Sequence, residues 1–309
     1  MTDINRQIIN LLQENKSMKQ ISLETGMSQK QLYVRLKQII NYGYQLVPNY
    51  RYNSDIYYNI VKGIKTQNYD FSISVPKKKQ NFRCIVISDL HVGNQKSDLK
   101  LLNYVYDYAV KSAINYILIC GDNIEGDYTT DGKIIKDVYG QVEYLIKNYP
   151  YDPSVNNVMI FGNHDHHSVT YSGFNPANTI KNARYDIIPI GYGQGNVNLK
   201  NDSLILFHKL SEKSFPEIKS GDKIVLSGHG HLMKTKLREQ LWLCIPSLSY
   251  VSVDKTKDTI PGFVDLSIDF EKGKFDYIEA KHLILAPKII EASETRCKIK
   301  SLDSFFEEK

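Results

Sequence analysis

The histidines of this 309-residue sequence are concentrated in one part of the chain. Seven of the eight histidines lie between positions 91 and 231, and the first ninety residues contain none. The segment FGNHDHH, residues 161–167, holds three of them together with an aspartate. Histidine is the commonest metal-binding side chain, and acidic residues accompany these histidines at loop positions. The clustering therefore indicates one metal site that is assembled from several loops.

Five apolar segments carry these polar side chains at their carboxyl ends. The segments IVIS, ILIC, VMIF, LILF and IVLS are typical of buried β-strands. They are followed in turn by Asp89, His91, Asp122, Asn163, His164, His208, His229 and His231. Helical segments alternate with the first three strands, which predicts an α/β domain, and fewer helices separate the later strands, which predicts a second sheet packed on the first. Because ligands bind at the carboxyl ends of strands in such sheets, we expect these side chains to meet at one edge.

The order and spacing of these residues resemble those of the calcineurin-like metallophosphoesterases. That superfamily carries D-x-H, G-D-x-x-D, G-N-H-D/E, a lone His and G-H-x-H in this order, as residues 82 to about 285 do here. The resemblance implies a metal-dependent phosphoesterase with an α/β fold, an α+β sandwich of two mixed β-sheets flanked by helices. It assigns Asp89, His91 and His231 to a first metal, Asn163, His208 and His229 to a second, and Asp122 to a bridge between them.

The resemblance further implies two divalent metal ions. Ligand sets of histidine nitrogen and carboxylate oxygen without thiolate suit manganese, iron or zinc rather than calcium, and manganese is our first expectation. Two such ions bind a phosphoryl group and supply hydroxide at neutral pH.

His164 receives a role outside the metal ligands. In the family, the histidine of G-N-H-D contacts the phosphate or the leaving oxygen, so we expect His164 to act as a general acid or to stabilise the transition state. The second acid of G-D-x-x-D often orients this histidine, and here that position is Glu125, one methylene longer than aspartate. Asp165 is expected to cap its own turn. His166 and His167 fall outside the pattern, and they are either solvated loop residues or contacts to a substrate phosphate.

The N-terminal part predicts three helices followed by a β-rich stretch. Ser17 followed by Gln20, and Ser28 followed by Gln31, are two capping boxes that mark helix starts. Gly26 lies between the two helices, where the first of them must end. A helix, a short turn with glycine and a second helix form the helix-turn-helix arrangement.

The second helix of this pair has one apolar face and one polar face. The apolar face consists of Leu32, Leu36, Ile39 and Ile40, and the outward side chains are Gln29, Lys30, Tyr33 and Lys37. A recognition helix presents such side chains to phosphates and base edges, so we predict that residues 1–75 bind DNA. A three-helix bundle used for protein contacts is the alternative. Residues 42–61 alternate aromatic and polar residues around the turn signal Asn53-Ser54-Asp55, a pattern consistent with a β-wing after the helix-turn-helix module.

Charge divides the chain in the same way. The net charge is +5, but residues 1–80 hold twelve basic and five acidic residues, a balance of +7, and the remainder has a balance of −2. A polyanionic partner is therefore expected for the first part only. The predicted organisation is a module at 1–75, a basic linker at 76–81, a metallophosphoesterase domain at 82–285 and a tail at 286–309, which is either a docking helix or disordered.

Other classes of protein are disfavoured by composition. No apolar run reaches the ~18 residues of a membrane span, and the N-terminus lacks the apolar core of a signal peptide, so a cytoplasmic protein without a membrane partner is expected. The four cysteines have no paired spacing and are expected to be reduced.

Three functions are consistent with these patterns. The first is a phosphodiesterase or nuclease that acts on nucleic acid and is tethered to DNA by its N-terminal module. The second is a phosphatase of small molecules or proteins, with a regulatory or assembly role for the module. The third, a DNA-binding regulator with an inactive metal domain, is disfavoured because the ligand set is complete.

Overall fold

The structure is a computed structural model that describes residues 2–42, 44–50, 56–62, 70–127, 132–237, 239–253, 259–285 and 289–299. The helices within these ranges are α1 (Asp3–Gln13), α2 (Met18–Thr25), α3 (Gln29–Asn41), α4 (Lys100–Lys111), α5 (Val138–Asn148), α6 (Asn163–Ser172) and α7 (Pro176–Ala183). The strands are β1 (Tyr44–Tyr50), β2 (Ile56–Lys62), β3 (Asp70–Ile73), β4 (Asn81–Ile87), β5 (Tyr116–Cys120), β6 (Asn156–Phe161), β7 (Ile187–Tyr192), β8 (Gln194–Leu199), β9 (Asp202–Phe207), β10 (Asp222–Ser227), β11 (Lys234–Leu237), β12 (Leu241–Cys244), β13 (Gly262–Glu271), β14 (Lys274–Leu285) and β15 (Ile289–Lys298). None of the helices in these ranges has the length and apolar character needed to cross a membrane.

The N-terminal part consists of α1 to α3 and the antiparallel hairpin β1–β2. Both predicted capping boxes are present at the starts of α2 and α3. Gly26 ends α2 in the left-handed conformation, with φ of 66°. Leu32, Leu36 and Ile39 are buried, as the apolar face predicts, whereas the side chain of Ile40 lies outside the described residues. The assignment of this three-helix cluster to the helix-turn-helix class stays a prediction.

Two mixed β-sheets form the main body, which confirms the predicted fold class. The seven-stranded sheet has the order β15-β14-β13-β4-β5-β6-β7, and its strands from β4 to β7 are parallel. The six-stranded sheet has the order β11-β12-β10-β9-β8-β3 and joins parallel and antiparallel pairs. Helices follow the parallel strands, as the alternating sequence pattern predicts.

Successive residues of β4 face two different hydrophobic cores. Ile85 and Ile87 belong to the core that includes the buried residues of α4 and α5. Cys84 and Val86 belong to a core shared with β9 and β10 of the other sheet. A strand that is buried on both faces has apolar residues at successive positions. This is why polar residues do not alternate with apolar ones in the segment IVIS.

The sheets extend beyond the limits that the sequence predicts for the metal domain. β3 pairs in parallel with β8, so residues 70–73 belong to the six-stranded sheet rather than to the N-terminal module. At the other end, β15 pairs with β14 as an edge strand, so residues 289–298 form neither a helix nor a separate tail. Most of β15 is exposed, and a strand of this kind lacks the apolar signal that marks a buried one.

The N-terminal hairpin lies directly against the end of α6. Gly173 caps α6 with φ of 65°, and a methyl group at this position would lie 0.9 Å from the carbonyl oxygen of Leu46 in β1. Leu46 is itself buried in the core of the three-helix cluster. The cluster is thus attached to a helix whose other end is the Gly-Asn-His turn at Asn163.

Candidate metal centre

The predicted ligands come together at the carboxyl ends of five strands. Three groups of potential ligand atoms, each within 4.8 Å of one another, occur among the described residues. They are Asp89, His91 and His231; His91, Asp122 and His164; and Asp122, His208 and His229. Asn163 completes the last group, because its Oδ1 lies 2.9 Å from His229 Nδ1 and 3.2 Å from His208 Nε2. The first and third groups are those that the sequence predicts for two metals.

Five of these residues have a backbone conformation that residues other than glycine rarely adopt. Positive φ angles of 57°, 49°, 53°, 72° and 50° occur at Asp89, His91, Asp122, His229 and His231. Such conformations cost about 1–3 kcal/mol each and persist where the surrounding structure enforces them, often at functional sites. The strand ends are therefore shaped to turn these side chains towards one point.

Glycines allow the loops to approach one another closely. A methyl group on Gly162 would lie 2.2 Å from Asp122 Oδ1, and one on Gly228 would lie 2.1 Å from Ser88 Oγ. The glycines of the G-N-H-D and G-H-x-H motifs are thus required by space beside the ligands.

Main-chain carbonyls fix the orientation of two histidines. His208 Nδ1 donates to the carbonyl of Cys120 at 2.6 Å, and His231 Nδ1 donates to the carbonyl of Val251 at 2.7 Å. A carbonyl oxygen only accepts, so Nδ1 must carry the proton and Nε2 has a lone pair when the ring is neutral. Partners of this kind hold metal-binding histidines in place.

The inward-facing atoms of the site are mostly acceptors. His231 Nε2 lies 3.3 Å from His91 Nε2 and 3.2 Å from Asp89 Oδ1. Asp89 Oδ1 is buried and has no hydrogen-bond partner among the described residues. Lone pairs that face each other at this distance repel unless a cation or a proton lies between them. The donor set therefore fits divalent cations of the type bound by histidine and carboxylate.

Electrostatics keeps both central carboxyl groups ionised. Burial opposes the charge on Asp89, but His231 and His208 lower its pKa to about 2. Burial also opposes the charge on Asp122, yet His208, His164 and His91 hold its pKa well below the usual range. The same attraction, against the effect of burial, raises the pKa of His208 to about 9.

His164 and Glu125 interact differently from the predicted side-chain pair. His164 Nδ1 donates to the main-chain carbonyl of Glu125 at 2.8 Å, and its distance to Glu125 Oε2 is 3.8 Å. The carboxylate instead lies 3.0 Å from His91 Nδ1. The extra methylene of glutamate carries its oxygen past the position that a shorter aspartate would reach. His164 Nε2 lies 4.0 Å from Asp122 Oδ2, beside the predicted ligands.

Asp165 of the FGNHDHH segment has a structural role. Asp165 accepts from the backbone N–H groups of Gly162, Asn123 and Ile124, so it caps its own turn as expected and also holds the loop that carries Asp122. Burial, followed by the charge of Asp122, raises the pKa of Asp165 to about 7.

His166 and His167 are on helix α6, partly buried, and not on a solvated loop. The ring of His166 contacts that of Tyr192, with 5.7 Å between their centroids, and burial lowers its pKa. The expectation of solvated histidines was wrong because the Gly-Asn turn starts a helix at Asn163.

A segment after β12 also supports the site, although its sequence pattern did not indicate a functional role. Ser247 Oγ donates to the carbonyl of Asp89 at 3.0 Å, and the carbonyl of Val251 accepts from His231. The signal that could have identified it is the apolar run LWLC, because this run is followed by serines in the same way as the other apolar runs are followed by site residues.

The predicted DNA-binding residues lie on α3. Gln29, Lys30 and Tyr33 are exposed there, and Tyr33 has 44% of its surface accessible. Lys37 is also in α3, but its side chain lies outside the described residues.

The segment that carries these residues matches a known protein family. A family model described as calcineurin-like phosphoesterase matches residues 82–258, more than half of the chain. No curated protein matches the sequence.

Three solved structures that resemble this chain have low sequence identity to it. Vacuolar protein sorting 29 from Cryptosporidium parvum has 15% identity and a TM-score of 0.44, with 71% of this chain and 100% of that chain covered. The phosphoesterase YfcE from E. coli has 17% identity and a TM-score of 0.44, with the same coverage. The nuclease MPE from Pseudomonas putida has 16% identity and a TM-score of 0.34, with 59% of this chain and 83% of that chain covered.

Proposed function

Because the chain belongs to the calcineurin-like phosphoesterase family, and is thus a metal-dependent hydrolase of phosphate esters, we propose that it hydrolyses phosphodiester bonds of nucleic acid. One observation carries the choice of substrate. The N-terminal cluster, which lies in the part of the chain with a balance of +7, contacts the helix that begins with Asn163 and His164. A polyanion bound to the cluster would therefore be held near the metal centre.

The residues of the centre would hold two divalent ions. The first would bind Asp89, His91 and His231, the second Asn163, His208 and His229, with Asp122 shared. The ions would polarise a phosphate ester and lower the pKa of a water molecule so that hydroxide forms near neutral pH. Histidine and carboxylate donors suit manganese, iron and zinc, and we propose manganese as the working metal.

His164 would hold the proton that the leaving oxygen needs. Its Nδ1 donates to the carbonyl of Glu125 and its backbone N–H donates to Asp122 Oδ1 at 2.9 Å, so ring and main chain are both fixed. Nε2, which lies 4.0 Å from Asp122 Oδ2, would carry a proton towards the substrate. An alkoxide leaving group requires such a proton, and imidazole supplies it near neutral pH.

The exposed face of α3 would contact the nucleic acid. Lys30 would bind a phosphate. Gln29 and Tyr33 would form hydrogen bonds with base edges or donate hydrogen bonds to phosphate oxygens. Lys37 extends this face in the sequence. We assign DNA as the partner of the cluster.

A substrate panel with Mn²⁺ tests this proposal. Bis-p-nitrophenyl phosphate, p-nitrophenyl phosphate, single-stranded DNA and duplex DNA are compared for the parent protein and for Asp122→Ala. We expect hydrolysis of the diester and of at least one DNA, and loss of both activity and bound metal in the variant. Rapid hydrolysis of the monoester with neither DNA cleaved would instead support a phosphatase with a regulatory N-terminal cluster.

A further inference from the structure

We propose that Glu125 is a positioning residue with two separate functions, its carboxylate orienting the candidate ligand His91 and its main-chain carbonyl orienting His164. The carboxylate lies 3.0 Å from His91 Nδ1, and the carbonyl lies 2.8 Å from His164 Nδ1. One residue thereby sets the direction of a metal-binding ring and of a proton-carrying ring. This inference rests on the proposed metal centre.

The Glu125 carboxylate is held in a buried and crowded place. Only 3% of its side chain and 2% of that of His91 is exposed, so water cannot substitute easily for either partner. A buried hydrogen bond of a carboxylate is stronger than one between neutral groups. With Nδ1 donating to Glu125, the Nε2 of a neutral His91 ring presents its lone pair to Asp89, Asp122 and His231.

The backbone around Glu125 is fixed independently of its side chain. The Glu125 N–H donates to the carbonyl of Val92 at 2.9 Å, and the Val92 N–H donates to the carbonyl of Asn123 at 3.1 Å. This pairing joins the loop of His91 to the loop of Asp122. The Glu125 main chain therefore keeps its place when only its side chain is changed.

The next residue holds the carbonyl in place. Gly126 has φ of 65°, and a methyl group here would lie 2.2 Å from the carbonyl oxygen of His164. The buried Gln141 accepts from Gly126 N–H at 2.7 Å and donates to its carbonyl at 3.3 Å. The peptide that follows Glu125 is thus set by Gln141, and its carbonyl points to His164 without help from the carboxylate.

Substitution of the side chain should consequently separate the two functions. Glu125→Gln retains the size of the residue and removes its charge, whereas Glu125→Asp shortens it by one methylene and draws the oxygen away from His91. Loss of a partner of a metal-binding histidine typically weakens metal affinity about 10- to 100-fold. We expect a loss in this range for one ion in both variants, with the affinity for the second ion unchanged.

Metal titration and leaving-group dependence form the test. Isothermal titration with Mn²⁺ measures both affinities, and aryl phosphodiesters of graded leaving-group pKa measure the contribution of His164. The exposed Glu143 on α5 provides the control variant Glu143→Gln, which should match the parent in both measurements. At saturating Mn²⁺, Glu125→Gln should keep the leaving-group dependence of the parent. Two unchanged Mn²⁺ affinities, or a leaving-group dependence altered as in His164→Ala, would overturn the proposal.

Proton NMR of the metal-free protein tests the His91 contact without substrate or metal. The His91 Nδ1–H signal should lie far downfield in the parent and shift upfield in Glu125→Gln, while the signal of His164 Nδ1–H should stay in place. A signal of His91 that does not respond would contradict the carboxylate contact. A protein that passes these tests but cleaves no nucleic acid would refute only the proposed substrate.

Discussion

The orientation of His164 is set by a main-chain carbonyl and by the candidate ligand Asp122. Its Nδ1 proton is committed to the carbonyl of Glu125, and its backbone N–H is committed to Asp122. The ring therefore needs no carboxylate partner of its own to keep Nε2 directed at the candidate ligands. The consequence is that removing the His164 ring should leave the ligand positions largely intact.

For His164→Ala, we expect both metals to be retained and turnover to fall by ~10²–10⁴-fold on alkyl diesters, the range of general acid catalysis. The loss should shrink with p-nitrophenyl leaving groups, since these depart without a proton. Steady-state kinetics and metal analysis of the purified variant provide the measurement. His166→Ala, which removes the ring packed on Tyr192, is the control and should leave the leaving-group dependence unchanged. Equal losses for aryl and alkyl esters would leave His164 with a phosphate-binding role only.

The positions of the candidate ligands could be predicted from the sequence, but their partners could not. Asp89, His208 and the other ligands follow strands whose apolar runs are visible in the sequence, and parallel strands bring such ends together. Glu125 Oε2 lies 3.0 Å from His91 Nδ1 and 3.8 Å from His164 Nδ1, so a small difference in distance decides which histidine is its partner. Spacing along the chain carries no information on that choice.

Helix α6 connects the candidate metal centre to the N-terminal part of the chain. It begins at Asn163, whose Oδ1 lies among the histidines, and it ends at Gly173, which lies against the carbonyl of Leu46. The helix has ten residues, so its ends are separated by about 15 Å at 1.5 Å per residue. A displacement of β1 would therefore act on the same helix that carries His164.

Replacement of Gly173 by alanine should weaken the contact between α6 and β1 and lower the free energy of unfolding. The left-handed conformation costs about 1–2 kcal/mol, and the clash with Leu46 adds about 1–3 kcal/mol. Gly26→Ala is a matched control, because Gly26 also caps a helix with φ of 66° but has no atom within 4 Å of the added methyl group. Urea denaturation should show a larger loss of unfolding free energy for Gly173→Ala. Equal losses in the two variants would mean that the contact with Leu46 contributes nothing.

The elements that were predicted differ from those that were missed in how much apolar surface they bury. The starts of α2 and α3 are marked by capping residues, and β4 is marked by an unbroken apolar run. β3 and β15 are edge strands with mostly exposed or half-exposed residues, and their pairing partners set them in place. Edge strands therefore require knowledge of the sheet before they can be assigned.

The attachment of the N-terminal part affects how its role can be tested. A truncation that removes residues 1–80 would delete the three-helix cluster, but it would also take β3 from the six-stranded sheet and expose the end of α6. Loss of DNA binding in such a protein could not be distinguished from damage to the sheet. Charge changes on the exposed face of α3 avoid this difficulty, because the side chains there contribute little to the core.

For Lys30→Glu, alone and combined with Lys37→Glu, we expect weaker binding of duplex DNA and a flatter dependence of affinity on salt. Each phosphate contact that is lost should reduce the slope of log K against log salt by ~0.9. Fluorescence anisotropy at several salt concentrations measures both quantities, and hydrolysis of bis-p-nitrophenyl phosphate should be unchanged. Lys147→Glu, at the exposed carboxyl end of α5, alters the net charge by the same amount as Lys30→Glu and serves as its control. An unchanged slope in both α3 variants would mean that α3 is not the DNA-binding surface.

The parallel pairing of β3 with β8 joins segments that leave the ribosome far apart in time. The elements from α1 to β2 are complete once Lys62 has been synthesised, whereas β3 must wait for residues 194–199, and the candidate ligand His231 follows later still. Domains fold during synthesis from the N-terminus onwards. The residues of the three-helix cluster have therefore all been synthesised well before the candidate metal centre can assemble. Hydrolysis of phosphate esters requires a chain synthesised at least as far as His231, long after the part proposed to bind DNA has been made.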